Sequence, residues 1–329
     1  MWVTAAILLE RGSRKTPKGV HKFVLGNSAC LFYSLPVAST LNPAVSRLDV
    51  ARFWNTEPCG TRYLGGKAAF DEQARTRYQL EPHIPGFAGF QSARGLRVLE
   101  IGVGIGADYE QWLKAGAVAT GVDLSALSLR VARVRCEAAG LKPDLHQADA
   151  EDLPFPSNSF DVVYSYGVMH HSPNTPACIE EAWRVLKPGG QVRIMLYRHP
   201  SLTGIMLWLR FGLFRGQSIR KCVFEELESP GTQTFTRAEM FALMRNFENV
   251  RIEQVFSPGD LLLNAPSSRF RGTPYRLLWK LFPRRVARAC LKRLGLFALI
   301  TAEKPIAQSF SASTSPEGEF AGEAKAMNV

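Results

Sequence analysis

Leu96-Arg-Val-Leu-Glu-Ile-Gly-Val-Gly-Ile-Gly-Ala107 is the stretch on which the reading of this chain turns. Its first half is a short apolar run, as expected of a strand covered on both faces. Its second half sets glycines at 102, 104 and 106 directly after that strand, and Asp108 to Ala115 continues with helical spacing. Glycines at a strand-to-helix junction let the backbone turn tightly and leave space that a Cβ would fill. About 20 residues further on, a second apolar run, Ala117 to Val122, ends at Asp123, where a carboxylate can accept from both hydroxyls of a ribose. Gly-x-Gly-x-x-Ala fits a dinucleotide site as well as a nucleoside site, and a favourable charge at the next helix N-terminus would also explain Asp123.

Outward from this turn, strands and helices alternate. Ser125 is a good N-cap for a helix reaching about Ala139. Short strands are expected near Asp144 to Gln147 and over Phe160-Asp-Val-Val-Tyr164. A helix over Pro176 to Leu186 leads through the turn Lys187-Pro-Gly-Gly190 into a strand from Gln191 to Tyr197. This alternation calls for a parallel, doubly wound α/β sheet. Later, Thr236-Arg-Ala-Glu239 is a capping box opening a helix through Phe247. Val250 to Phe256 and Leu296 to Ala302 read as an antiparallel pair, with residues 257–295 inserted between them.

Four ordered blocks narrow the choice. After the glycine turn come Ala148-Asp-Ala-Glu-Asp-Leu-Pro-Phe155, Ser159-Phe-Asp-Val-Val163, Tyr166-Gly-Val-Met-His-His171 and Trp183-Arg-Val-Leu-Lys-Pro-Gly-Gly190. On these residues the chain resembles the class I S-adenosylmethionine-dependent methyltransferases, and most of all the branch that includes the ubiquinone/menaquinone C-methyltransferases. The resemblance is strong from Leu96 to Tyr197 and continues more weakly to Lys304. It implies a Rossmann-like, seven-stranded sheet of order 3-2-1-4-5-7-6 in a methyltransferase domain over 96–304. It also implies S-adenosyl-L-methionine as cofactor, with no metal required. Glu100, Gly102, Gly104 and Gly106 match the motif that wraps the methionine part of the cofactor, and Asp123 matches the ribose-binding acid. Leu124, Asp149 and Ala150 match positions around adenine, and Tyr166 and Gly167 match the segment beneath the sulfonium. The function expected is in-line methyl transfer to a small or lipid-like molecule. An NAD(P)-dependent oxidoreductase and a non-catalytic, membrane-associated S-adenosylmethionine-binding protein are the alternatives.

An acceptor that loses a proton is helped by a base. His170 and His171, just past the fourth strand, stand at the carboxyl edge where open sheets bind ligands, and are the catalytic candidates. Tyr166, Tyr197 and His199 are further groups near that edge. Phe53-Trp-Asn-Thr-Glu-Pro-Cys-Gly60 is rich in groups that could cover a pocket, so residues 51–95, with Arg77, Glu81 and His83, are expected to form an N-terminal lid. Residues 1–50 read as a flexible leader and 305–329 as a disordered tail.

The 329 residues carry 40 basic against 29 acidic side chains, a formal charge of +11, and are 46% hydrophobic. That composition is globular, and six widely spaced cysteines without zinc-ligand spacing read as reduced, cytoplasmic thiols. No run reaches the roughly 18 apolar residues of a spanning helix, Leu202 to Phe214 being the longest candidate. From Ala265 to Ala302 there is no acid, while Arg269, Arg271, Arg276, Lys280, Arg284, Arg285, Arg288, Lys292 and Arg293 alternate with apolar residues. Either a solvated cationic face or a peripheral membrane contact through 269–293 would use this pattern. Nucleic acid is disfavoured as a partner, because Ser165-Tyr-Gly-Val stands where adenine-amine methyltransferases carry Asn/Asp-Pro-Pro-Tyr/Phe and no Pro-Cys nucleophile lies nearby.

Overall fold

The computed structural model describes residues 45–56, 66–227, 229, 231–263 and 280–306. Most of the expected leader, Pro58-Cys59-Gly60, the cations at 269, 271 and 276, and the tail from 307 lie outside the described residues. Three helices precede the sheet: α1 (Arg47–Thr56), α2 (Lys67–Leu80) and α3 (Ile84–Ala88). The helix α1 crosses the leader boundary expected at residue 50. Its cause is local: Ser46 N–H and Oγ both donate to Asp49, and Asp49 N–H donates back to Ser46 Oγ, a reciprocal cap that starts the helix early.

The sheet has seven strands. β1 (Arg97–Ile101) lies parallel between β2 (Val118–Asp123) and β4 (Phe160–Tyr166). β3 (Asp144–Gln147) flanks β2, and β5 (Leu186–Tyr197) flanks β4. β7 (Phe297–Glu303) inserts antiparallel between β5 and β6 (Glu248–Val255), so the order is 3-2-1-4-5-7-6. The turn expected at Lys187–Gly190 is absorbed into β5, where Leu186 pairs with Phe160 and Gln191 with Val162 across an irregular step.

Strand alternation builds two cores. Val98, Val162 and Tyr164 face Trp112 of α4 (Ala107–Lys114) and Leu129 and Ala132 of α5 (Ala126–Ala138). Leu99, Ile101 and Val163 face Ile179 and Ala182 of α6 (Thr175–Val185). Each such side chain contributes about 1.5–3 kcal/mol by leaving water, so register is fixed by burial on both faces at once. Ser125 caps α5 by accepting from Ser128 N–H.

Two further segments stand on the carboxyl edge. Tyr197 pairs with Phe297, and Phe297 with Val255, so the chain leaving β5, the chain leaving β6 and the chain entering β7 meet at that edge. After β5 come α7 (Leu202–Leu207), a π-helical turn at Trp208–Gly212, and α8 (Ile219–Glu226). The capping box of Thr236 and Glu239 then opens α9 (Arg237–Leu243), which stops short of Phe247. Between β6 and β7 lies α10 (Arg284–Cys290). Buried Asp260 ties these segments together by accepting from Thr203 N and Oγ1, Ser257 N and Oγ, and Leu296 N at 2.7–3.0 Å. Among the described residues no helix is long and apolar enough to cross a membrane.

Candidate active site

A cavity of about 480 Å³ opens at the carboxyl edge beside β1, β2 and β4, in the size range of small-molecule sites. Of the ten residues expected around a cofactor, Glu100, Gly102, Gly104, Asp123, Leu124, Asp149, Ala150, Tyr166 and Gly167 line it. Gly106 does not line it. A Cβ there would stand 2.9 Å from that of Ala132, so this glycine brings α4 close to α5. Gly104 has φ 53° and a Cβ on it would meet nothing within 4 Å: its empty side is the cavity. At Gly102 a Cβ would collide with Val168, so that glycine admits the loop after β4.

The carboxylates are held by the backbone. Asp123 accepts from Gly104 N–H and Ser125 N–H, both at 2.8 Å, and each oxygen keeps a lone pair for another donor. Burial pushes its pKa up against those two bonds. Glu100 is buried and its Oε2 has no hydrogen-bond partner. Burial, then the charge of Asp108, raises the Glu100 pKa well above the ordinary value against the opposing charge of Arg77. An orphaned carboxylate oxygen and an open glycine on the same cavity fit a ligand that brings a cationic amine and a ribose. Asp108, which sequence reasoning left unassigned, receives Arg77 through two bonds of 3.0 and 2.7 Å and the hydroxyls of Tyr78 and Tyr164. This network ties α2 to the glycine turn.

Residues of the N-terminal helices line the same cavity. Arg47 pairs with Asp149 at 3.3 Å and Glu151 at 2.6 Å, although it fell within the stretch read as leader. Only its serine cap offered a signal in the sequence. Trp54 stands edge-on to His171 with ring centroids 5.2 Å apart, and its carbonyl lies 3.3 Å from Ser125 Oγ. His83 Nε2 lies 2.7 Å from Tyr166 Oη. Burial, then the Arg77 charge, pushes the His83 pKa down to about 4.

Beyond Tyr166 the cavity continues along Met195, Tyr197, Leu227, Leu296 and Phe297, an apolar and aromatic wall. The paired histidines separate here. His170 is fully buried, both ring nitrogens lack partners, its ring lies 3.7 Å from that of Tyr197, and it does not line the cavity. Burial holds its pKa well below the ordinary value. His171 does line the cavity, with Nδ1 2.9 Å from Ser229 Oγ and 3.1 Å from Thr232 Oγ1. His199, half-buried, also titrates below the ordinary value through that partial burial and then the Arg220 charge, and lies outside the cavity lining.

A glycine turn after β1, a carboxylate at the end of β2 and a reversed seventh strand define a class I methyltransferase fold. The sequence comparisons agree on the family. The model of the methyltransferase domain family matches residues 99–194. The Ubiquinone biosynthesis O-methyltransferase of Cereibacter sphaeroides is 31% identical over 200 residues, covering 54% of this chain and 76% of that one. The Demethylmenaquinone methyltransferase of Tropheryma whipplei is 35% identical over 106 residues, covering 32% of this chain and less than half, 44%, of its relative. Among solved structures, the Haemonchus contortus Phospholethanolamine N-methyltransferase 2, in complex with phosphomonomethylethanolamine and S-adenosylhomocysteine, is 22% identical with a TM-score of 0.46, covering 69% of this chain and 52% of that one. The chain belongs to the class I S-adenosylmethionine-dependent methyltransferase family.

Proposed function

We propose that this protein transfers the methyl of S-adenosylmethionine to a small, apolar or lipid-like acceptor. One observation carries the reading: a single cavity joins the glycine turn and its carboxylates to an aromatic and aliphatic wall. When bound, the cofactor supplies a methyl on a sulfonium, a good leaving group, so the protein's work is alignment and exclusion of water. In this assignment Glu100 takes the cofactor's ammonium, Gly104 lets the methionine part pass, and Asp123 takes the ribose hydroxyls. Leu124, Asp149 and Ala150 border the adenine, while Tyr166 and Gly167 lie under the reacting centre. Gly102 and Gly106 act through packing. Of the two histidines, His171, which lines the cavity, is the one assigned to the acceptor.

The cationic stretch suits a peripheral contact with an anionic membrane surface, where such an acceptor would reside. The outward residues Lys280, Leu281, Arg285, Val286, Arg288, Lys292 and Arg293 are exposed, while Ala287 packs against Leu202 and Leu261. Calorimetry tests the cofactor half. S-adenosylhomocysteine should bind and NADH should not, and Asp123→Ala should weaken the former about 10- to 100-fold through lost charged hydrogen bonds. Binding of NADH alone, or unchanged affinity in the variant, would refute the assignment.

A further inference from the structure

Single exposed apolar side chains are ordinary, but several large ones gathered at one tip are not. Leu209, Leu213 and Phe214 are 51%, 43% and 94% exposed. They sit on the π-helical turn Trp208–Gly212 and the 3₁₀ turn Leu213–Arg215, which extend α7. A π turn bonds residue i to i+5, so Leu209 lies about one turn from Leu213 and Phe214, on the same side. The other side is packed. Trp208 and Phe211 lie against Cys222 and Val223 of α8, Trp208 Nε1 donates to the Gln217 carbonyl at 2.9 Å, and a Cβ on Gly212 would collide with Cys222 Sγ. The tip is therefore held from within, and its apolar exposure is not that of a loose end.

The charge around the tip has one sign. From Arg198 to Phe224 the chain has no acid, while Arg198, Arg210, Arg215, Arg220 and Lys221 are basic. Arg220 reaches Glu239 at 2.6 Å and Lys221 lies 3.8 Å from Glu225. Arg210 and Arg215, which interleave with the apolar residues, are exposed. Two copies of this tip would bring like charges together, whereas a bilayer with anionic headgroups accepts both the cations and the apolar groups.

We propose that Leu209, Leu213 and Phe214 form an anchor that enters the acyl region of an anionic membrane, with Arg210 and Arg215 at the headgroups. The cationic stretch around α10 supplies a surface contact; this tip supplies penetration. The two are neighbours, because α7 packs on α10 through Leu202, Met206 and Ala287. The base of the same arm reaches the cavity, where Thr203 of α7 and Leu227, just after α8, are lining residues. Anchoring thus holds the apolar wall near the bilayer, where a lipid-like acceptor enters. That use rests on the methyltransferase reading above, while the anchor itself does not.

A polarity-sensitive fluorophore on Phe214→Cys, with Cys30, Cys59 and Cys290 replaced by Ser, reads the tip and not α10. Its emission should shift to the blue with vesicles of phosphatidylcholine and phosphatidylglycerol, and lipids carrying a nitroxide on the acyl chain should quench it. In sedimentation with the same vesicles, Leu213→Ser/Phe214→Ser should lower the partition coefficient about 10- to 100-fold, through lost apolar burial. Arg215→Glu should lower it about 5- to 25-fold. Both variants should keep the unfolding midpoint and the affinity for S-adenosylhomocysteine. An unshifted emission, wild-type sedimentation of the double variant, or equal binding to phosphatidylcholine alone would overturn the proposal. So would a dimer that forms without vesicles and is lost in the double variant, since a second copy would then be what covers the tip. Absence of S-adenosylhomocysteine binding rejects the methyltransferase reading and leaves the anchor standing.

Discussion

Glu100 is an acid that the fold has made reluctant to ionise. Buried, with one oxygen unpartnered and Asp108 nearby, it keeps its proton to a pH well above the usual carboxylate range. An ammonium brought next to it would reverse the preference. The linkage sign follows: the free protein holds the proton, the complex releases it, and S-adenosylhomocysteine affinity should rise with pH until the raised pKa of the free protein is passed. Calorimetry in two buffers of different ionisation enthalpy should therefore give different heats. Glu100→Gln should remove that difference and weaken binding about 10- to 100-fold. Equal heats for the wild type would sink the idea. Asp123 belongs to the same scale, and its place at the end of β2 was legible because a strand end followed by a helix cap is written in consecutive residues. The unlike fates of His170 and His171 were not legible, since one residue of separation on a short helical turn sends the two rings to different neighbours.

The helix α1 acts as an element. Arg47 is 57% exposed, so its longer pair, with Asp149, contributes about 1 kcal/mol or less, and its 2.6 Å pair with Glu151 is shared with solvent at the guanidinium end. Its position is what matters, because Arg47, Val50 and Trp54 form one wall of the cavity. Arg47→Ala should leave the unfolding midpoint nearly unchanged yet speed S-adenosylhomocysteine release about fivefold, the rate equivalent of that lost pair. Stopped-flow fluorescence of Trp54 would follow it, and an unaltered release rate would mean that α1 is not a latch. The sequence contained the serine–aspartate cap that starts α1 but nothing that aimed Arg47, because its partners lie about a hundred residues away. The capping box of α9 and the serine cap of α5, by contrast, were readable because each is complete within four residues.

For the molecule as a whole, the two segments over the carboxyl edge turn a shared fold into a particular cavity. Asp260 joins them, and five donors converge on its carboxylate. Asp260→Ala leaves those donors buried and unsatisfied, so a loss of about 3 kcal/mol or more is expected in urea unfolding. Amide exchange should accelerate in 198–235 and 257–263 while β1, β2 and β4 remain protected. Uniform acceleration across the sheet would show that these segments are not a separable cap.

The local order of the chain determined the sheet, its glycine turn and the edge where the cavity opens. Burial patterns, caps and positive-φ turns depend on near neighbours, and a parallel sheet permits few connections. Tertiary structure alone decided which histidine lines the cavity, what holds α1 against it, and how apolar its far wall is. Those properties arise from contacts between segments 57 to 102 residues apart, where no spacing rule links one residue to the next and only the folded geometry sets the distance.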